Sequence, residues 1–97
     1  MTDAADLAAR VREGELRLYE LEEHADAETA AAARRHLLAE ETGVDLSAVG
    51  DYTFDAADAE SNIENMIGAA QVPMGVVGPL PIDGSAADGE HYLPLAT

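Results

Sequence analysis

The run Pro73-Met74-Gly75-Val76-Val77-Gly78-Pro79-Leu80-Pro81 sets prolines and glycines at close intervals through an otherwise apolar stretch. No amphipathic helix carries breakers at that density. Proline fixes φ and removes a donor, whereas glycine admits conformations that other residues refuse, so the chain must turn closely on itself here. A second apolar run, His91–Thr97, follows the linker Asp83-Gly84-Ser85-Ala86-Ala87-Asp88-Gly89. Asp-Gly occurs twice in that linker, which is strong turn chemistry. The runs Val72–Ile82 and His91–Thr97 therefore read as two β segments of a hairpin. Pro79, Pro81 and Pro94 donate no ladder bonds and belong at edges or strand ends.

The first part of the chain has a different grammar. Thr2 or Asp3 can cap a helix over Ala4–Glu13, with Asp6 in its first turn, Arg10 and Arg12 near its end, and Gly14 to stop it. Leu7 and Val11 give it one apolar stripe. Leu16–Glu23 reads as a short helix, since Leu18 and Leu21 share a helical face. Asp26–Glu41 is the clearest helix: Asp26 or Thr29 caps it, Ala30–Ala33 are strong formers, and Gly43 ends it. Its expected buried stripe is Ala30, Ala33, Leu37 and Leu38. Arg34 and Arg35 are read as solvated, able to pair with Glu41 or Glu28, and His24 and His36 as surface histidines.

Val44–Gly50 reads as a loop with a helical turn capped by Asp45, and Asp51–Phe54 as a brief extended segment that plugs Tyr52 and Phe54 into a core. Asp55 can cap a helix over Ala56–Asn65, with Ala59, Ile63 and Ile67 on one face. The fold class expected is α+β, with a helical region at residues 1–50 and the start of a mixed domain at residues 51–97.

Ninety-seven residues bound the chain to a single domain at most, and folding would bury only about 60–68% of the surface of so short a chain. The run Tyr92–Thr97 ends without a polar tail, so the chain is expected to be the N-terminal piece of a longer protein. Its formal net charge is −15, its basic residues are all arginine, and lysine is absent. Nucleic acid and anionic membrane surfaces are disfavoured partners, because both need a basic patch. Such acidity in a chain that is 47% hydrophobic and clearly periodic fits adaptation to a salt-rich cytoplasm. At 1 M salt the Debye length is roughly 3 Å and self-repulsion is screened. Without cysteine there are no disulfides or thiolate sites. The acidic start lacks the features of a signal peptide, and no run reaches the roughly 20 apolar residues of a membrane span. A cytoplasmic location is expected.

Little catalytic machinery is visible. The histidines have no triad-like context. Glu60 and Glu64, an i, i+4 pair without a histidine partner, read as a solvated acidic face rather than a metal site. Gly75-Val76-Val77-Gly78 lacks the spacing of a phosphate loop. Glu64 and Asn65 are the best-placed polar pair, and a structural role is open to them: satisfying backbone N–H groups in the turn at Gly68.

The string from Glu64 to Leu80, Glu-Asn-x-Ile-Gly leading into Pro-x-Gly-Val-x-Gly-Pro-Leu, resembles the start of the large domain of 3-hydroxy-3-methylglutaryl-CoA reductases. Tyr92-Leu93-Pro94-Leu95-Ala96-Thr97 resembles the family's approach to its catalytic Thr-Glu-Gly segment. The resemblance implies a small helical domain followed by the opening helix and hairpin of a large CoA-binding domain, truncated before its catalytic glutamate, which is expected just beyond Thr97. It implies an NADPH-dependent enzyme of the archaeal and eukaryotic class, taking HMG-CoA to mevalonate through a hemithioacetal and an aldehyde. NADPH would be bound by parts outside this chain, and no metal is implied. It further implies that Tyr19, in its Tyr-x-Leu-Glu context, lies over the adenine of CoA, although Glu20, Glu22 and Glu23 crowd the place and a tyrosine here also reads as packing with a wet hydroxyl. Glu64, Asn65 and Gly68 would brace a loop at a subunit interface, giving a homodimer or larger homo-oligomer. The competing reading is a non-catalytic acidic interaction module.

Overall fold

The computed structural model describes residues 3–84 and 88–96 and is α+β. Helix α1 (Ala4–Arg12) starts at Asp3, whose carboxylate accepts from the Asp6 N–H at 2.8 Å, and Gly14 takes the left-handed φ of 81° that lets the chain leave. Helix α2 (Ala27–Thr42) is bounded the same way: Asp26 accepts from the Thr29 N–H at 2.7 Å, and Gly43 closes the helix at φ 72°. The Thr29 amide holds the Asp26 carboxyl below its usual range. Local chemistry sets these ends, and they stand where the sequence places them.

The segment after Gly14 is helical, but as a 3₁₀ helix over Leu18–Glu23. Its Glu20 reaches back to the Arg17 N–H at 3.1 Å. Leu21 turns inward and joins Leu7, Leu16, Ala30 and Ala33 in the larger of two apolar clusters, formed where α1 packs on α2. The smaller cluster, Ala31, Ala56 and Met66, lies against α2 and gathers Tyr52 and Ala59 around it.

Several expectations are corrected here. The buried face of α2 is Ala30, Ala31, Ala33 and Arg34, while Leu37 is half-buried and Leu38 exposed. Arg34 is 2% exposed and not solvated at all. Arg35 is half-buried and donates to the Ile67 carbonyl at 2.8 Å; Glu41, like Glu40, pairs with Arg12. The helix after Asp55 is a single turn, α3 (Ala56–Ala59), rather than a run to Asn65. Its N-terminus is capped from a distance: Glu28 accepts from the Ala56 N–H at 2.9 Å, and Asp55 makes no capping bond. Beyond Ala59 the chain continues as turns, with Asn65 at φ 53°, and Ile63 is left 55% exposed. Met66 supplies the inward apolar group that Ile63 does not. Tyr52 packs at the smaller cluster, but Phe54 stays exposed and stacks on it at 4.9 Å between ring centroids. In the 44–50 loop, Asp45 does organise the turn, accepting from the Ser47 N–H and hydroxyl.

The hairpin pairs β1 (Met74–Asp83) with β2 (Asp88–Ala96) in an antiparallel two-stranded sheet. The Ser85-Ala86-Ala87 part of the expected turn, and Thr97, lie outside the described residues. The register shifts between Val77 and Leu80, where Gly78 (φ 138°) lies so close to the His91 carbonyl that a Cβ would meet it at 2.9 Å. Pro79 occupies this irregularity, where no ladder bond is asked of it. Among the described residues after Ala69, none is buried. The molecule is accordingly long and thin, 62 × 27 × 19 Å.

Candidate functional site

One groove gathers most of the sequence-predicted site residues. It has a volume of about 350 Å³ and is lined by Tyr19, Glu22, Glu60, Ile63, Glu64 and Asn65. The 3₁₀ helix supplies one wall, through Tyr19 and Glu22. The turn after α3 supplies the other. Tyr19 presents its ring to solvent, 68% exposed and with no ring partner among the described residues. Ile63 adds an apolar surface opposite, and Glu60, Glu64 and Asn65 bring acceptors and an amide. Because α3 stops at Ala59, Glu60 and Glu64 do not share a helix face; they meet at the groove instead.

Behind the groove stands Arg34. Its Nε and Nη2 donate to the Leu18 carbonyl at 3.0 and 2.7 Å. Nη1 donates to the Met66 carbonyl at 3.1 Å and to Glu22 Oε2 at 2.9 Å, and Nη2 donates to Glu22 Oε1. A guanidinium has five N–H donors in one plane, and here each has an acceptor. That is why a charge can be buried in this small interior without an orphaned polar atom. The hydrogen bond from Arg34 holds the Glu22 carboxyl below the usual range against the opposing effect of burial. Glu22 therefore enters the groove already paired with a cation, while Glu60 and Glu64 have no ion-pair partner among the described residues.

The turn at Gly68 is fixed by contacts from elsewhere in the chain. Arg34 holds the Met66 carbonyl, Arg35 holds the Ile67 carbonyl, and the Ala69 N–H donates to the Val49 carbonyl at 3.0 Å. Gly68 itself, at φ 151°, lies against Val49, where a Cβ would stand 2.0 Å from the carbonyl oxygen. The Glu64 and Asn65 side chains form no hydrogen bond among the described residues; within this chain the bracing is done by the two arginines. Arg35 also lies over the Tyr52 ring, 5.8 Å from its centroid. Tyr52 donates to Glu28 at 2.6 Å, which lowers the Glu28 carboxyl; burial, with that same bond, raises the Tyr52 hydroxyl.

Sequence reasoning missed Arg34 and Glu22. A signal was present: Arg34 follows Ala30 by four residues and precedes Leu37 by three, so it sits on the apolar stripe of α2. An arginine on such a stripe asks for acceptors. His36, by contrast, is the surface residue expected, paired with Glu40 at 2.8 Å, and His24 is exposed.

Gly75 and Gly78 lie inside β1, and no helix N-terminus follows them among the described residues. No described helix is long and apolar enough to cross a membrane.

Comparison with known proteins gives these features a setting. The family model described as hydroxymethylglutaryl-coenzyme A reductase matches residues 30–97. The chain is 65% identical over its whole length to a 3-hydroxy-3-methylglutaryl-coenzyme A reductase of Haloferax volcanii, of which it covers 24%. Over 98% of its length it is 56% identical to one of Halobacterium salinarum, covering 24% of it, and 36% identical to one of Zea mays, covering 16%. The chain thus spans about a quarter of the length of its archaeal relatives.

Proposed function

Because the chain belongs to the hydroxymethylglutaryl-coenzyme A reductase family, we propose that the full-length protein reduces HMG-CoA to mevalonate and free CoA with two molecules of NADPH. The observation that carries the reading for this part of the protein is the convergence of Tyr19 with Glu64 and Asn65 on one groove. In that reading the exposed Tyr19 ring is the platform for the adenine of the CoA substrate. The Glu64–Gly68 turn belongs to an interface between subunits of a homodimer or larger homo-oligomer, and the division near residue 50 separates a helical region from the large domain. The acid–base glutamate and the NADPH site lie in parts outside this chain, and no metal takes part. The mevalonate formed would feed isoprenoid synthesis in the cytoplasm.

The acidic surface supports a halophilic setting. Of five arginines, Arg10, Arg12 and Arg34 are taken up in ion pairs and Arg35 by a backbone carbonyl, so most of the acidic residues face solvent without a cation. The Haloferax and Halobacterium relatives point the same way. Stability should therefore rise with salt, and a full-length protein most stable in dilute buffer would contradict this setting.

A second reading, an acidic interaction or oligomerisation module without catalysis, is favoured by one observation: the hairpin exposes apolar side chains on both faces. The test is an NADPH-oxidation assay with HMG-CoA at high salt on the full-length gene product. Substrate-dependent loss of NADPH absorbance is the expected result. A folded protein that carries the downstream glutamate yet shows no activity would give the field to the module.

A further inference from the structure

We propose that Arg34 is a positioning residue for the Tyr19 groove: it sets the separation of the two walls between which the coenzyme-bearing substrate is held. This rests on the reading above that Tyr19 faces CoA. The wall carrying Tyr19 is anchored through the Leu18 carbonyl, one residue before it, and the wall carrying Asn65 through the Met66 carbonyl, one residue after it. One guanidinium holds both, with Nη2 2.7 Å from the first oxygen and Nη1 3.1 Å from the second. Among the described residues no other hydrogen bond joins the 3₁₀ helix to residues 60–68. The guanidinium is planar and 2% exposed, so the walls cannot part without stranding buried donors.

The same side chain sets the groove's charge. By pairing with Glu22 it cancels the lining carboxylate on the Tyr19 wall, leaving Glu60 and Glu64 on the far wall. A phosphate-bearing ligand that stacks on Tyr19 then meets less repulsion on that side. Lysine keeps the charge but offers its donors from a single point, so it cannot span both carbonyls and Glu22 together.

The test uses the full-length enzyme and compares wild type, Tyr19→Ala, Arg34→Lys and the double variant. KM for HMG-CoA, KM for NADPH, kcat and thermal midpoint are measured for each. Arg34→Lys should raise KM for HMG-CoA about tenfold, with kcat held within about twofold and KM for NADPH unchanged, because uniform binding of one substrate is what is lost. A merely structural defect would instead lower the active fraction, and with it kcat, and leave KM alone. The double variant should be no worse than the worse single one, since both act on the same contact. Tyr19→Ala raising KM while Arg34→Lys does not, or the two effects adding in full, overturns the positioning role and leaves the coenzyme reading intact. Tyr19→Ala without effect removes the coenzyme reading of the groove and this inference with it. Should Arg34→Lys fail to fold, Glu22→Asp serves in its place: it keeps the groove's charge but shortens the carboxylate's reach, weakening the guanidinium's hold while sparing both carbonyl bonds. An increase of about threefold in the same KM is then expected, and an unchanged KM in folded Glu22→Asp overturns the proposal.

Discussion

The helical layer and the hairpin solve opposite problems. The helical layer is poor in apolar bulk: alanine makes up much of its core, with only Leu7, Leu16, Leu21 and Met66 of any size. An alanine buries little area, so hydrophobic burial alone holds such a layer weakly. What holds it are directed polar contacts: Arg34 to two carbonyls and Glu22, Arg35 to Ile67, and Glu28 to Tyr52 and Ala56. The hairpin has the bulk and lacks the cover. Its register puts Met74, Val76, Tyr92 and Pro94 on one face and Val77, Leu80, Leu93 and Leu95 on the other, and every one of the large apolar residues among them is exposed. Strands apolar on both faces are built to be buried on both. The two apolar clusters of the helical layer are covered within this chain, whereas the hairpin leaves its large apolar side chains exposed on both faces.

The sharpest way to break that comparison is to remove its central contact. Arg34→Met strands the Leu18 and Met66 carbonyls and should cost about 3–5 kcal/mol of stability, read by urea denaturation. Val76→Thr in the hairpin of the 97-residue chain should cost less than about 0.5 kcal/mol. Equal costs at the two sites would erase the distinction. Next in size is a glycine pair. Gly68→Ala drives a methyl into the Val49 carbonyl at a φ that L-residues avoid, and should cost about 1–3 kcal/mol. Gly75→Ala meets nothing within 4 Å and should leave the melting temperature nearly unchanged. Third, the uncovered hairpin should make the 97-residue chain self-associate, since its edges and faces are open. Sedimentation should show the species shift towards monomer in Leu93→Ser/Leu95→Ser, and a wild-type monomer with a sharp melt at low salt would defeat this.

The smallest effect is a pH dependence confined to the helical layer. The folded Glu22 carboxyl titrates below its unfolded value because Arg34 donates to it. Its contribution is therefore complete above the ordinary glutamate value of about 4.3 and is lost as pH falls through the lower, folded one. Glu28 shifts in the same direction through Tyr52. Melting temperature against pH should fall less steeply on the acid side in Glu22→Gln than in wild type. Parallel curves would mean that the pair contributes nothing in solution.

How much of this was legible in the sequence divides by range. The α1 and α2 boundaries rest on Asp3, Asp26, Gly14 and Gly43, each acting within a few residues, and they read directly. The hairpin was announced by its prolines, glycines and Asp-Gly pairs. The helix expected over Ala56–Asn65 failed because its cap comes from Glu28, and because Met66 rather than Ile63 found the interior. By sequence Arg34 reads as solvated, because a charge is bland until its acceptors are known, and those lie 12, 16 and 32 residues away.

The sequence by itself determined where α1 and α2 begin and end, where the chain must reverse, and that the chain carries an excess of negative charge, since each follows from residue chemistry at short range or from a simple sum. Only the tertiary structure decided that Tyr19 meets Glu64 and Asn65 across a groove, that Arg34 is the buried tie behind it, and that Gly68 admits no side chain. Those outcomes depend on where distant backbone carbonyls come to rest, and a carbonyl looks the same at every position of a sequence until folding gives it a neighbour.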